Sequence, residues 1–206
     1  MPSTPPSTPP LCPSAPPLAP PFEGLPQEVF CYGSLRAPEV VSALLGAPLP
    51  TRPAWHPAAR VCAVRGEDFP ALALACAPAC APACALTCAP LRAPLYAPGE
   101  LLRLAPVGTR AYEEQIKRLD SYEELDAGEY LRVVALVWAM EREASAAGGW
   151  RCLSPVWAWC YVPGPALRGR LGGPWRFEER DALMRARGGW LASPAIAWAR
   201  RLALEV

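Results

Sequence analysis

Apolar positions in this chain follow two periods, and each change of period marks an element. Val29, Phe30, Cys31 and Tyr32 form a short run with the bias of a buried strand, stopped by Gly33, where the backbone is expected to need freedom in φ. Ala37 to Leu45 then turns helical, with Val40, Val41, Leu44 and Leu45 on one side, Pro38 in the first turn and Gly46 and Pro48 at the end. Alternation returns in Ala59 to Val64, closed by Arg65-Gly66, and strand-like structure resumes from Tyr96 to Ala105. Thr109 is the expected N-cap of a helix from Arg110 to about Tyr122. Glu113 and Glu114 in its first turns and Lys117 and Arg118 near its end suit the helix dipole, and Tyr112, Ile116 and Leu119 form one apolar stripe. Val133 to Trp138 predicts a strongly apolar strand. Arg151 to Val162, with Trp157, Trp159 and Tyr161 at alternate positions, predicts another. Gly172-Gly173-Pro174-Trp175 reads as a turn-rich linker before two helices, Phe177 to Arg187 and Leu191 to Leu204, parted by Gly188-Gly189.

Two stretches fall outside this patterning. Residues 1 to 21 are almost wholly Pro, Ser, Thr, Ala and Leu, without charge or an apolar face, and read as a flexible tail that cannot offset its ordering entropy. From Ala75 a four-residue repeat places Cys76, Cys80, Cys84 and Cys88 at constant spacing, and Pro78 and Pro82 argue against a continuous helix there. The uniform spacing lacks the paired knuckles of structural zinc sites, so a low-complexity surface insertion is expected, with a soft-metal site as the alternative. The expected organisation is a Pro-rich tail over 1–25, a globular domain over 26–165 with the insertion at 75–90, and a helical extension over 166–206.

Charge narrows the partners. Lys plus Arg number 20 against 19 Asp plus Glu, so nothing global recruits nucleic acid or an anionic membrane. No apolar run is long enough for a membrane span and no export signal is apparent, which sets the expectation of a soluble, cytoplasmic protein. Nine cysteines without an export signal make a disulfide scaffold improbable. The C-terminal arginines beside Trp175, Trp190 and Trp198 raise nucleic-acid binding, but Glu178, Glu179 and Asp181 offset the charge, and a helical cap over the barrel or a dimer surface is expected instead.

Candidate chemistry sits at two places. Tyr32-Gly33-Ser34-Leu35 leaves a strand through a turn whose consecutive N–H groups suit a carboxylate or a developing oxyanion. Continuing the stripe of Tyr112, Ile116 and Leu119 by four residues reaches Glu123, a carboxylate in register with the core-facing side if the helix holds to its end, and turned into water if it frays at Ser121. Glu113, Glu114, Asp120 and Glu124 fall on other faces and read as solvated surface or caps. His56, the only histidine, has no second histidine with which to build a metal site or a relay, and no chemistry is placed on it.

Val29-Phe-Cys-Tyr-Gly-Ser-Leu-Arg36, with Leu119-Asp-Ser-Tyr-Glu123 and Tyr130-Leu-Arg132 downstream, resembles the γ-glutamylcyclotransferase-like (AIG2-like) family over roughly residues 28 to 165. Arg65 to Leu72 also looks like a family segment. The resemblance implies an α+β fold: a small mixed β-barrel with flanking helices and an active pocket at its mouth. It further implies that Glu123 is the catalytic acid/base and that Tyr32, Gly33, Ser34, Leu35 and Tyr130 bind the substrate. The implied reaction cyclises a γ-glutamyl amide or peptide to 5-oxoproline and frees an amine or amino acid, with no metal or organic cofactor. Glu124 stands where the family usually has glycine. Two other readings stay open: a non-catalytic small-molecule binding module on the same barrel, and a thiol-rich metal binder acting through the 76–88 tract. Oligomeric state is not legible.

Overall fold

The computed structural model describes residues 24–74, 96–142 and 150–205; the N-terminal tail and the cysteine repeat lie outside them. Five strands close into a barrel in the order β1 (Glu28–Cys31), β5 (Ala97–Arg103), β2 (Thr51–His56), β6 (Tyr130–Arg142), β7 (Trp150–Pro163). Its pairings are antiparallel except for β1 with β7, which is parallel, so the barrel is mixed as the resemblance implied. Closure leaves these strands without a free edge. A second sheet, ordered β4 (Pro70–Leu74), β3 (Ala59–Val64), β8 (Leu171–Pro174), stands beside it.

Alternate residues of β1 serve opposite faces, as the two-residue period of a strand requires. Phe30 packs with Leu101, Val137, Ala158 and Cys160. Val29 and Cys31 pack instead with residues of the helices α1 (Pro38–Leu45), α2 (Arg110–Tyr122) and α5 (Pro194–Glu205), among them Val40, Leu44, Leu119, Ile196 and Ala199. α1 begins at Pro38 and ends at Gly46, whose φ of 81° is left-handed. α2 starts where Thr109 Oγ1 accepts the Tyr112 N–H at 3.2 Å.

Five elements depart from the sequence reading. Gly172-Gly173-Pro174 belongs to β8 and pairs with β3 rather than forming a linker. Its backbone makes the ladder while its side chains carry no strand signature. β2 and β4 contain or begin with proline, which breaks the strand pattern, yet both pair along their length. Short α3 (Pro165–Arg168) was hidden by its length. The second C-terminal helix starts at Pro194, later than Leu191, because Trp190–Ala192 forms a separate 3-10 turn; α4 spans Phe177–Ala186. His56 closes β2 instead of lying in a loop; it is buried, its Nδ1 accepts the Ala58 N–H at 3.1 Å, and burial lowers its pKa to about 4. Cys31, Cys62 and Cys160 are buried free thiols. No described helix is long and apolar enough to cross a membrane.

Candidate active site

A cavity of about 360 Å³ opens where β1 runs into the 3-10 turn Ser34–Arg36 and where α2 ends. Tyr32, Gly33, Ser34, Leu35, Glu123 and Tyr130 all line it. Segments some ninety residues apart therefore share one space.

The turn after β1 is a 3-10 helix in which Arg36 N–H returns to the Gly33 carbonyl at 3.0 Å and Ala37 N–H to Ser34 at 2.9 Å. Such a turn leaves its first N–H groups without internal acceptors. Among the described residues none accepts from the N–H of Gly33, Ser34 or Leu35. Gly33 itself departs from expectation: its φ is −116° rather than positive. It is glycine for want of space, since a Cβ there would stand 2.9 Å from the Pro70 ring of β4. Arg36 then ties the turn to α4 by stacking 4.2 Å above Phe177 and bonding Glu178 at 3.1 Å.

At the other side, α2 ends in a Schellman motif. Leu125 N–H bonds Asp120 O at 3.1 Å and Glu124 N–H bonds Ser121 O at 3.2 Å, with Glu124 in the left-handed region at φ 50°. Glu123 is the C-cap, one turn beyond buried Leu119, and the apolar stripe carries its side chain to the cavity. Its carboxyl finds no hydrogen-bond donor among the described residues. Glu123 is half-buried and lines the cavity, and its desolvation there raises its pKa from 4.5 to about 8, with the charges of Asp120 and Glu124 adding to the effect.

Tyrosines frame this carboxyl with their hydroxyls already engaged. Tyr32 donates to the Tyr161 carbonyl at 2.8 Å, Tyr130 to the Pro70 carbonyl at 2.6 Å, and Tyr122 shares a 2.8 Å bond with Ser34 Oγ. The last bond joins the N–H-bearing turn to the residue before Glu123. Tyr32 and Tyr130 thus offer the cavity mainly ring surface.

Sequence reasoning misread Asp120 and placed no site residue in the C-terminal cap it expected over the barrel. Asp120 is not solvated surface: Arg132 grips both its oxygens at 2.9 and 2.8 Å and Tyr161 donates at 2.9 Å, fixing the last turn of α2 to β6 and β7. The Arg132 guanidinium also lies 4.7 Å from the Trp159 ring. Trp175, Arg180, Trp190 and Trp198 reach the cavity from the C-terminal segment. Several of its arginines and tryptophans make contacts within the chain, as where Arg201 stacks 4.0 Å over Trp198. Among the described residues no group of three or more His, Cys, Asp or Glu is placed to hold a metal.

Fold and site define a small closed mixed barrel with an acid-bearing pocket at the edge of its first strand. Residues 29–177 match the family described as Gamma-glutamyl cyclotransferase, AIG2-like, and the chain belongs to that family. No curated protein matches the chain. Among solved structures it is similar to two from Arabidopsis thaliana. The solution structure of At3g28950.1 is 17% identical with a TM-score of 0.49, covering 81% of this chain and 79% of that one. The solution structure of At5g39720.1 is 17% identical with a TM-score of 0.45, covering 79% of this chain and 85% of that one.

Proposed function

We propose that the protein is a γ-glutamyl cyclotransferase that converts a γ-glutamyl amide to 5-oxoproline and a free amine. The observation that carries this reading is the single cavity shared by a carboxyl held protonated to about pH 8 and three unengaged backbone N–H groups. A γ-glutamyl amide brings its own nucleophile, so the protein has chiefly to fold the substrate and move protons. The substrate α-amine nitrogen attacks the γ-carbonyl carbon, closing a five-membered ring. The oxygen takes up the developing charge facing the N–H groups of Gly33, Ser34 and Leu35. Glu123, as carboxylate, removes the proton from the attacking nitrogen and returns it to the departing nitrogen as the amide C–N bond breaks. Proton count is conserved and Glu123 ends as it began. Tyr32 and Tyr130 supply ring surface against the glutamyl methylenes.

A proton shuttled both ways calls for a pKa near the working pH, which packing at the end of α2 provides. The check is 5-oxoproline release from γ-glutamyl substrates by Glu123→Gln and Glu124→Gln. The first is expected to lose roughly 10²- to 10⁴-fold in kcat/KM and the second to stay within a few-fold of wild type. Unchanged turnover in Glu123→Gln removes the acid from the mechanism. Tight binding by the wild-type chain without any product favours the binding-module reading.

A further inference from the structure

Part of the cavity wall comes from chain that follows the family-matched residues, namely Arg180, Trp190, Ser193, Pro194, Ala195 and Trp198. Its indoles have spent their only donors elsewhere. Trp190 Nε1 donates to Asp181 at 2.7 Å and Trp198 Nε1 to the Tyr122 carbonyl at 3.2 Å, so what they present to the cavity is ring carbon. Phe69 and Trp175 extend this apolar surface.

The charged side chains of the wall point the same way. Arg180 is the one cation lining the cavity among the described residues, and Asp68 already holds its guanidinium at 3.2 Å. Glu67, Asp68 and Glu124 are carboxylates lining the same cavity. Arg170, which does not line the cavity, pairs with Glu67. A substrate carboxylate on the leaving side would meet no uncommitted cation among the described residues, while a flat apolar group would meet indole faces. A cavity of about 360 Å³ is small for a ligand site and suits an amine of modest size rather than a peptide chain.

We propose that the segment after residue 177 makes the cavity selective for γ-glutamyl amides whose leaving amine carries an aromatic ring and no carboxylate. The proposal rests on the cyclisation reading for the position of the glutamyl half, and its test separates the two. Glutaryl amides keep the glutamyl carboxylate but lack the α-amine, so they cannot cyclise, and their binding to the wild-type chain is measured by calorimetry. Glutaryl-β-phenylethylamide is expected to bind at least tenfold more tightly than glutaryl-phenylalanine, which adds only a carboxylate. It is expected to exceed glutaryl-ethylamide, which lacks the ring, by a similar factor.

Asp68 is largely exposed, so Asp68→Asn leaves the fold alone while freeing Arg180. It is expected to narrow the gap between the first two probes at least threefold. Equal affinities across the three probes, no binding of any, or an unchanged gap in Asp68→Asn overturns the proposal. Release of 5-oxoproline from the matching γ-glutamyl amides is followed in parallel. Selective binding without product sinks cyclisation and leaves the subsite standing; equal product from all three does the reverse.

Discussion

Glu123 is the residue on which the site turns, and its protonation has a cost that stability should register. In the unfolded chain its carboxyl ionises near 4.5, whereas in the folded protein packing holds the proton to about pH 8. Between those values the folded state binds more protons, so stability falls as pH rises from about 4.5 to 8 and is level in this respect above that. Glu123→Gln carries no such charge. It is expected to flatten that part of the decline and to exceed wild type by about 1–2 kcal/mol at pH 8.5, a figure already reduced for the water its cavity-facing surface admits. Denaturant midpoints of the two proteins at pH 5.5 and 8.5 check this; a constant difference between them would place the carboxyl in bulk water. That Glu123 stands in register with an apolar stripe was legible from Tyr112, Ile116 and Leu119 alone. The role of Asp120 was not, because its partners Arg132 and Tyr161 come from strands that periodicity does not place against α2.

At the scale of elements, the end of α2 determines where the carboxyl points. The Schellman motif requires its residue after the C-cap to adopt the left-handed region, and here a glutamate does so at φ 50°. The glycine usual in the family at this position would adopt it freely. Glu124→Gly is therefore expected to stabilise the protein by about 0.5–1 kcal/mol, the relief of backbone strain outweighing the added freedom of the unfolded chain. It also removes a negative charge that raises the Glu123 pKa, so the pH at which Glu123 ionises should move below 8. Denaturant unfolding and titration of the variant read the two effects separately, and an unstable variant with an unmoved midpoint would refute both. α1, α2 and α4 were read almost to the residue, α2 at Arg110–Tyr122 being the clearest. β2 and β8 escaped because backbone pairing across the sheet, not side-chain alternation, makes Thr51-Arg-Pro-Ala-Trp-His56 and Leu171-Gly-Gly-Pro174 strands.

For the molecule as a whole, the C-terminal segment and the barrel share a core. Ile196, Ala199 and Leu202 of α5 bury in one cluster with Val29 of β1 and Val40 and Leu44 of α1. We expect the segment after residue 165 to unfold together with the barrel rather than as a separate unit. Ile196→Ala should cost about 3 kcal/mol and shift one shared transition, followed equally by far-ultraviolet circular dichroism and tryptophan fluorescence. Two transitions, with only the later part of the chain responding, would count against it. The sequence by itself determined the longer helices, the strands that carry a side-chain pattern, which faces are apolar, and the family to which the Tyr-Gly-Ser and Tyr-Glu motifs belong. These are local properties, written in the spacing of neighbours. Only the tertiary structure decided that Gly33, Ser34 and Leu35 after β1 and Glu123 at the end of α2 line one cavity, and that Trp190 and Trp198 return to wall it. An apolar face encodes that it must be covered but not by what. The cover is chosen by pairings between distant segments such as β1 with β5 and β7, whose hydrogen bonds are made by a backbone common to every residue.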